Sequence, residues 1–426
     1  METLTVALMG IGKADDSSFT VPSSIQNVIS RFEEEHQNVQ IEVTGYQRGS
    51  EVFGVEYEDE ITLLQREIIS GKGPDVILFI GGYYMSDISG KYTEDLYAYL
   101  GEDWENRYVA NVVNTYSYDG GLYAIPVSFT LKTLVVAART AQGRESWTME
   151  ELIAAYEEAY EASGGTVMLL NGDYKKNTFA TLLYNSVGDF VDWESGACSF
   201  DSEEFRKLLE FSDSFPESYV YSEDFHMMEE YAAGNILLYP LSLSDVYEIA
   251  KAKMIFGEDV AFIGYPSNEG GGAVVSNGNL SLAISALSEQ KETAWEFISL
   301  FLGEEYQREL ANFLPVDKVV LYEELEEALT AVYEEDTNGN QTPVAQDKVS
   351  SEGEGVIAEI YQISEDEKEA FLGIIESVSE SSAFDLELYS LILDETQGHF
   401  EGEKTVEETM EVIQGIATVY VNENIE

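Results

Sequence analysis

The sequence predicts an α/β protein of two lobes, in which each lobe is a mostly parallel sheet flanked by helices. Apolar strands alternate with amphipathic helices in the first third of the chain, an order typical of parallel sheets. Two later apolar segments are interrupted in a way that predicts crossings between the lobes. A chain of 426 residues is also too long for one ordinary hydrophobic core, so at least two domains are expected.

The first third supplies strands and helices for the first lobe. Strand patterns begin near Leu4 (LTVALMGI), Val39 (VQIEVTGY) and Asp75 (DVILFI). The last is a continuous apolar run, which is expected of a strand covered on both faces. Helical patterns span residues 23–35 and 61–69, and the second helix is expected to end before a Gly-Pro break.

Two pairs of strands predict where the chain passes between the lobes. Residues 122–136 form two apolar strands joined through Pro126 and Ser128, and the proline excludes an unbroken central strand. The apolar strand at 260–266 runs into SNEGGG before the strand NLSLAIS. These crossings make both lobes discontinuous. The predicted first lobe comprises residues 1–127 and 270–318, and the second comprises 128–269 and 319–426 with a helical C-terminal segment.

Local signals predict three further features. Thr148 and Glu151 have the spacing of a capping box at the start of a helix. Apolar residues at three- and four-residue spacing predict helices in 365–426. The segment 334–341 (EEDTNGNQ) alternates like a calcium loop, but Gly339 comes one position early and no closing Glu follows. Asn-Gly between two apolar runs instead predicts a hairpin turn.

The charge of the chain is strongly one-sided. It has 22 Lys and Arg against 81 Asp and Glu, for a formal net charge of -59. This balance argues against nucleic acid as a partner, because phosphates need cationic neutralisation, and against an anionic membrane surface. A heavily solvated acidic surface explains the charge, and calcium scavenging is the alternative.

No metal, cofactor or disulfide is predicted. Cys198 is the only cysteine, which excludes an internal disulfide, and no nearby histidine could generate its thiolate. His36, His226 and His399 are far apart, and none has the spacing of a two-ligand metal motif. The sequence has no apolar stretch of about 18 residues that would span a membrane and no visible secretory signal.

Residues 63–100 carry the most informative pattern of the chain. A helix is followed by SGKGPDVILF, a loop that begins GGYY, and the short segment EDLYAYL. This order resembles the N-terminal lobe of extracellular solute-binding proteins of ABC importers. Within that class it is most similar to the carbohydrate-binding branch, the maltose-binding-protein-like family 1. Further similar segments follow in the family's order: GGLYAIPVSFTLKTLVV, WTMEELIAAYEEA, YAAGNILLYPLSLSDVYEIA, VAFIGYPSNEGGGAVVSNGNLSLAI, QKETAWEFISLFLGEEYQREL and HFEGEKTVEETMEVIQGIATVYVNE.

The resemblance implies a periplasmic-binding-protein-like fold and a role in import. Such a protein captures a carbohydrate, here expected to be an oligosaccharide, between two lobes that close about hinge strands. It then delivers the sugar to a membrane permease, acts as a monomer, and is not an enzyme. We therefore expect an extracellular chain, lipid-anchored to the outer face of the cytoplasmic membrane, whose signal peptide has been removed. In a two-membrane cell the location would be periplasmic.

The residues expected to bind the sugar follow strand ends and crossings. Sugars present apolar faces to aromatic rings and a rim of hydroxyls to amide, carboxylate and hydroxyl groups. Many members of the family have a second-lobe tryptophan where this chain reads YPLSLSDVY, and Tyr239 or Tyr247 is expected to replace it. The predicted site is Gly81, Gly82, Tyr83, Tyr84, Ser128, Phe129, Asn171, Asp173, Tyr174, Tyr239, Ser242, Tyr247, Asn277 and Asn279.

Three other functions remain open from the sequence. The same fold could bind a non-sugar solute, or it could report a solute to a membrane signalling receptor. A carbohydrate hydrolase is the competitor from another class, because 81 acidic residues guarantee chance carboxylate pairs. No pattern isolates the two carboxyl groups that a glycosidase needs, and no nucleophile elbow, phosphate loop or dinucleotide fingerprint is present.

Overall fold

The chain divides into two compact units, which comprise residues 1–130 with 275–324 and residues 131–274 with 325–426. The structure is a computed structural model. It describes residues 2–10, 20–46, 60–80, 88–184, 186–193, 195–219, 226–267, 270–276, 280–310, 313–335, 339–351, 355–378 and 386–424.

The first unit contains a five-stranded mixed sheet. Its order is Val39–Tyr46, Glu2–Met9, Val76–Ile80, Leu280–Ile284 and Ile125–Pro126. The first three strands are parallel, as their alternation with helices predicted. The last two run antiparallel to their neighbours. Its other strands are Ser117–Tyr118, Gly121–Leu122, Ser128–Phe129 and Leu314–Pro315.

Helices cover this sheet through apolar stripes. The helix Ser23–Glu35 buries Ile25, Val28, Ile29 and Phe32, the spacing of one helical face. The remaining helices are Glu60–Ile69, Tyr97–Leu100, Trp104–Arg107, Ala110–Asn114, Lys291–Ser299 and Glu304–Gln307, and Lys318–Ala328 begins in this unit. The predicted helices at 23–35 and 61–69 are therefore confirmed.

One aspartate links three strands of the first unit. The Asp75 carboxylate accepts hydrogen bonds from Thr5 N at 2.9 Å and from Thr5 Oγ1 at 2.7 Å. Its other oxygen accepts from Ser288 Oγ at 2.6 Å, just beyond Leu280–Ile284. A buried sheet needs a fixed register to keep its apolar side chains inside. Asp75 supports that register at the beginning of Val76–Ile80.

The central sheet of the second unit is antiparallel. The strand Leu131–Ala137 lies between Tyr239–Leu243 and Val260–Phe262, and it is antiparallel to both. The α/β class is thus confirmed, but the sheets are mixed rather than mostly parallel. A strand pattern in the sequence identifies a strand and its buried face. Its direction depends on where the long connections return, which local periodicity does not encode.

The second unit also contains several small strands and most of the long helices. The other strands are Val191–Asp192, Ala197–Cys198, Tyr333–Glu335, Gln341–Pro343, Asp347–Ser351 and Gly355–Ile360, and Val274–Val275 lies at its boundary. The helices are Ala138–Ala141, Met149–Ala162, Lys175–Leu183, Glu203–Asp213, Met227–Ala233, Glu248–Phe256, Glu365–Glu376, Leu386–Phe400 and Val406–Asn424, with a 3-10 turn at Val187–Phe190. The predicted C-terminal helices are confirmed.

Aromatic side chains fill the core of the second unit. Phe190, Phe200 and Phe205 contact one another with ring centroids 5.2–5.4 Å apart, and Phe179 packs on Phe205 and Phe400. Such edge-to-face pairs are the favoured aromatic geometry. Because Phe400 comes from the helix Leu386–Phe400, the C-terminal segment is part of this core.

Two local predictions are also confirmed. Thr148 caps the helix Met149–Ala162: its hydroxyl accepts from Glu151 N, and the Glu151 carboxylate accepts from Thr148 N. Tyr333–Glu335 pairs antiparallel with Gln341–Pro343, as the predicted hairpin requires, and Asn338 of the predicted turn lies outside the described residues. Among the described residues, the helices lack the length and apolar character needed to cross a membrane.

We expect Thr148→Ala to lower the free energy of unfolding by about 1 kcal/mol, because it removes the N-cap acceptor of Met149–Ala162. Urea unfolding and hydrogen exchange of that helix would measure the loss. The control is Thr342→Ala on the exposed strand Gln341–Pro343. Equal effects of the two variants would contradict the role of the cap.

Candidate ligand-binding cavities

The second unit has a cavity of about 390 Å³ whose floor is the central sheet. Lys132 and Ser242 are cross-strand partners in the pairing of Leu131–Ala137 with Tyr239–Leu243, and both line the cavity. Cross-strand partners point to the same face of a sheet. The full lining among the described residues is Lys132, Asn177, Ala180, Thr181, Tyr184, Pro240, Leu241, Ser242, Tyr265 and Tyr389.

One wall of this cavity is the helix Lys175–Leu183, which we call the cavity helix. Asn177, Ala180, Thr181 and Tyr184, just beyond its end, have the i, i+3, i+4, i+7 spacing of one helical face. The opposite face buries the neighbours Thr178, Phe179, Leu182 and Leu183 in the core. The helix therefore presents an amide, a hydroxyl and an aromatic ring to the cavity because its other side is apolar.

Three tyrosines are among the described residues that line the cavity, and two of them, Tyr184 and Tyr389, contact each other. Tyr184 and Tyr389 are edge to face, with ring centroids 5.6 Å apart at 89°. Tyr389 Oη donates to the carbonyl of Ala180 at 2.9 Å, which ties Leu386–Phe400 to the cavity helix. Burial, followed by the neighbouring Tyr184, raises the pKa of Tyr389 to about 12. The Tyr389 ring therefore offers an apolar surface with a neutral polar tip.

A lysine lies against this aromatic pair. Lys132 Nζ is 4.7 Å from the centroid of the Tyr184 ring and 3.5 Å from Tyr184 Oη. The first distance is that of a cation–π contact. The described lining thus combines a cation, three tyrosine rings, the amide of Asn177 and the aliphatic hydroxyls of Thr181 and Ser242.

The first unit has its own cavity of about 470 Å³ at the carboxyl end of Val76–Ile80. Ile80, Leu280 and Ser128 line it from the strands, and Ser23 and Ser24 line it at the start of Ser23–Glu35. In open α/β sheets this end of the strands is where ligands bind. Its other lining residues are Pro22, Ile25, Asn27, Tyr306, Glu309, Leu310 and Phe313.

The predicted site residues fall into three groups. Ser128 lines the cavity of the first unit and Ser242 that of the second. Another group lies outside the described residues: Gly81, Gly82, Tyr83, Tyr84, Asn277 and Asn279. The rest are described but do not line either cavity: Phe129, Asn171, Asp173, Tyr174, Tyr239 and Tyr247.

Local geometry explains where the last group lies. Phe129 is fully buried in the first unit. Asp173 accepts a hydrogen bond from Leu169 N at 2.7 Å, and burial raises the pKa of its carboxyl. Tyr174 precedes the cavity helix as its N-cap residue, and Asn171 is exposed. Asn171, Asp173 and Tyr174 thus belong to the loop that leads into the cavity helix.

Tyr239 and Tyr247 lie beside a charged cluster instead of the cavity. Successive residues of a strand point to opposite faces, so Tyr239 faces away from Pro240 and packs edge to face on Tyr231 at 5.5 Å. The charges of Asp245 and Asp347 act on Tyr247, whose pKa is raised first by burial and then by these carboxylates.

This charged cluster contains three carboxylates and one lysine. Among the described residues, Asp245, Glu248 and Asp347 bring carboxylate oxygens within 4.8 Å of one another. Lys251 Nζ lies 2.6 Å from Glu248 Oε1, 2.6 Å from Asp347 Oδ2 and 3.8 Å from Asp245 Oδ2. Burial alone would lower the pKa of Lys251, but these hydrogen bonds and charges raise it. The ammonium group thus occupies the place where a cation would bind.

The residues that sequence reasoning missed are Lys132, Asn177, Tyr184, Tyr265 and Tyr389. One signal was available, because NxxATxxY at 177–184 forms a polar and aromatic stripe opposite an apolar face. No local pattern marks Lys132 or Tyr389, which come from a strand and a helix far apart in the sequence.

Two α/β units, each with a cavity lined by strand-end or sheet residues, define a protein that binds a small solute. The sequence profile described as bacterial extracellular solute-binding protein matches residues 27–336, so the chain belongs to that family. No curated protein sequence matches the chain.

Solved structures share the fold at low sequence identity. A cyclic α-maltosyl-1,6-maltose binding protein from Arthrobacter globiformis is 15% identical, with a TM-score of 0.55 and 99% of each chain covered. An ABC substrate-binding protein from Listeria monocytogenes, solved with cycloalternan, is 14% identical, with a TM-score of 0.53, and covers 99% of this chain and 100% of its own. A designed esterase is 15% identical, with a TM-score of 0.56 and 100% of both chains covered.

The cluster around Lys251 makes stability depend on pH. Burial, followed by the nearby acidic groups and offset by Lys251, raises the pKa of Glu248 to about 7. The native state then holds this proton up to about pH 7, whereas an unfolded glutamate releases it near 4.3. Between these values the native state binds more protons, so stability falls as the pH rises. Asp245, whose pKa burial also raises, acts in the same direction.

We expect Glu248→Gln to flatten this part of the pH profile. The groups that act on Glu248 are Asp245, Asp347 and Lys251, and Tyr239 also faces it. Urea unfolding at pH 5 and pH 8 would measure how much the free energy of unfolding changes between the two pH values. We expect that change to be smaller in the variant than in the wild type by on the order of 1–3 kcal/mol. The control is Glu158→Gln on the exposed face of Met149–Ala162. The same flattening in both variants would rule out this cluster as the cause.

Proposed function

We propose that this chain is the substrate-binding component of an ABC importer and that its cargo is a carbohydrate. The observation that carries the proposal is the tyrosine pair in the second-unit cavity, surrounded by Asn177, Thr181 and Ser242. Sugar rings stack their apolar faces on aromatic rings, and their hydroxyls hydrogen-bond amide and hydroxyl groups. Family membership and two neighbours solved with, or named for, oligosaccharides support this cargo.

Tyr184 and Tyr389 would supply the sugar platform that a second-lobe tryptophan supplies in many related binders. The two rings differ in role. Tyr389 is held by its hydrogen bond to Ala180, so its position is fixed before the ligand arrives. Tyr184 contacts both the Tyr389 ring and the Lys132 ammonium group.

We infer binding without turnover. A glycosidase needs two carboxyl groups on either side of the scissile bond. Of the described residues that line the second-unit cavity, none is Asp, Glu, Cys or His. The similarity to a designed esterase shows the fold alone and does not bring its chemistry to this chain.

The proposed partners and location are those expected for a member of this family. An extracellular solute-binding protein delivers its ligand to permease subunits in the membrane. A lipid anchor on the outer face of the cytoplasmic membrane would hold the chain near them, and a monomer would suffice for delivery. Co-purification of the permease from membranes is the test of this partner.

We expect Tyr184→Ala and Tyr389→Ala each to weaken oligosaccharide binding at least about tenfold, because each removes a stacking surface. Isothermal titration against a panel of neutral and acidic mono- and oligosaccharides, amino acids and polyamines would identify the ligand. Thermal shift would confirm that the variants fold. The control is Tyr333→Ala, whose ring is 55% exposed on the hairpin. Binding of a non-sugar solute alone would overturn the carbohydrate cargo.

Hinge closure gives a second prediction. A ligand shifts a conformational equilibrium only through its higher affinity for one state, so the closed form must make additional contacts with the sugar. Small-angle scattering should show a smaller radius of gyration with saturating ligand than without it. Tyr389→Ala at the same ligand concentration serves as the control. An unchanged radius at demonstrated saturation would exclude closure.

A further inference from the structure

The lining of the second-unit cavity has an unusual charge for this chain. About one residue in five is acidic, 81 of 426. Yet the described residues that line this cavity include one cation, Lys132, and no carboxylate. The cavity of the first unit includes Glu309. A smaller cavity at the start of Met149–Ala162 includes Glu150 and Glu204 beside its lysine. Of these three cavities, only the second-unit cavity has a described lining without a carboxylate.

Lys132 also differs from other cations of the second unit in its partners. Lys175 pairs with Asp213 at 2.7 Å and Lys207 pairs with Glu150 at 3.2 Å. Lys251 has three carboxylates around it. Within the described part of the chain, Lys132 has no carboxylate within 4.0 Å, and its Nζ contacts only Tyr184. In a chain this acidic, a half-buried ammonium group without a counterion points to a ligand that supplies one.

The chemistry of the lining also favours an anionic ligand. An ammonium group has three donors and no acceptor, so it can donate to a sugar hydroxyl oxygen but cannot accept a hydrogen bond from it. Its strong partner is an anionic oxygen, and such charge-assisted hydrogen bonds are about twice as strong as neutral ones. Ser242, directly across the strand pair from Lys132, can donate a second hydrogen bond to the same oxygen group.

We propose that the solute is an acidic saccharide, whose anionic group binds Lys132 while its ring stacks on Tyr184 and Tyr389. The inference rests on the proposed function and names the class of sugar. The shared chemistry is an anionic oxygen group on the sugar, either a uronate carboxylate or a sulfate ester. The net charge of -59 opposes this ligand only weakly, since salt at physiological strength screens charges beyond about 8 Å.

The test compares acidic saccharides with neutral ones, including an acidic trisaccharide and its own methyl ester. Isothermal titration would measure trigalacturonate, its fully methyl-esterified form, mixed-linkage glucuronate oligosaccharides, sulfated trisaccharides and neutral maltotriose. We expect an acidic sugar to bind at least about tenfold more tightly than its neutral counterpart, with a preference that shrinks as salt rises. The carboxylate and sulfate arms identify which anionic group the cavity selects.

Lys132→Met separates the charge from the shape of the cavity. It should abolish the preference for acidic over neutral sugars, measured as the ratio of their affinities for the same variant. The control is Lys348→Met, which makes the same change at an exposed position of the strand Asp347–Ser351. Equal binding of acidic and neutral sugars, or a preference that survives in Lys132→Met, overturns the inference but leaves the proposed function intact. Binding of no saccharide at all overturns both.

Discussion

The second unit depends on one buried strand, Leu131–Ala137. Six of its seven residues are buried and both of its edges are paired, so its backbone polar groups find partners in neighbouring strands. Lys132 is the residue of this strand that is only partly buried. Because side chains alternate along a strand, pairing Lys132 with Ser242 fixes both on the face that forms the cavity floor. The same alternation turns Tyr239 away from it.

The cavity then results from packing two helices against this sheet. The cavity helix buries Phe179, Leu182 and Leu183, which leaves its polar stripe toward the open space. The helix Leu386–Phe400 adds Tyr389, which the bond to Ala180 holds in place. Both helices that form the cavity wall also pack in the aromatic core. Apolar packing therefore sets the position of the tyrosine rings before any ligand binds.

The fold of this protein does not by itself indicate its chemistry. Sugar-binding proteins and a designed esterase match the chain with similar TM-scores, 0.53 to 0.56. The fold therefore identifies neither a ligand nor a reaction, and the side chains of the cavity must carry that argument. Here they are three tyrosines, small polar groups and a lysine, in a lining whose described residues contain no acid.

The sequence by itself determined the features that depend on interactions between residues close together in the chain. The helix stripe at Ser23–Glu35, the capping box of Thr148 and Glu151, and the C-terminal helices each follow from spacing within a few residues. Ser128 and Ser242, predicted from strand ends and crossings, each line one of the two cavities. Only the tertiary structure decided the direction of the central strands and the meeting of Lys132 with Tyr389. Those depend on contacts between segments more than 100 positions apart, which side-chain periodicity cannot encode.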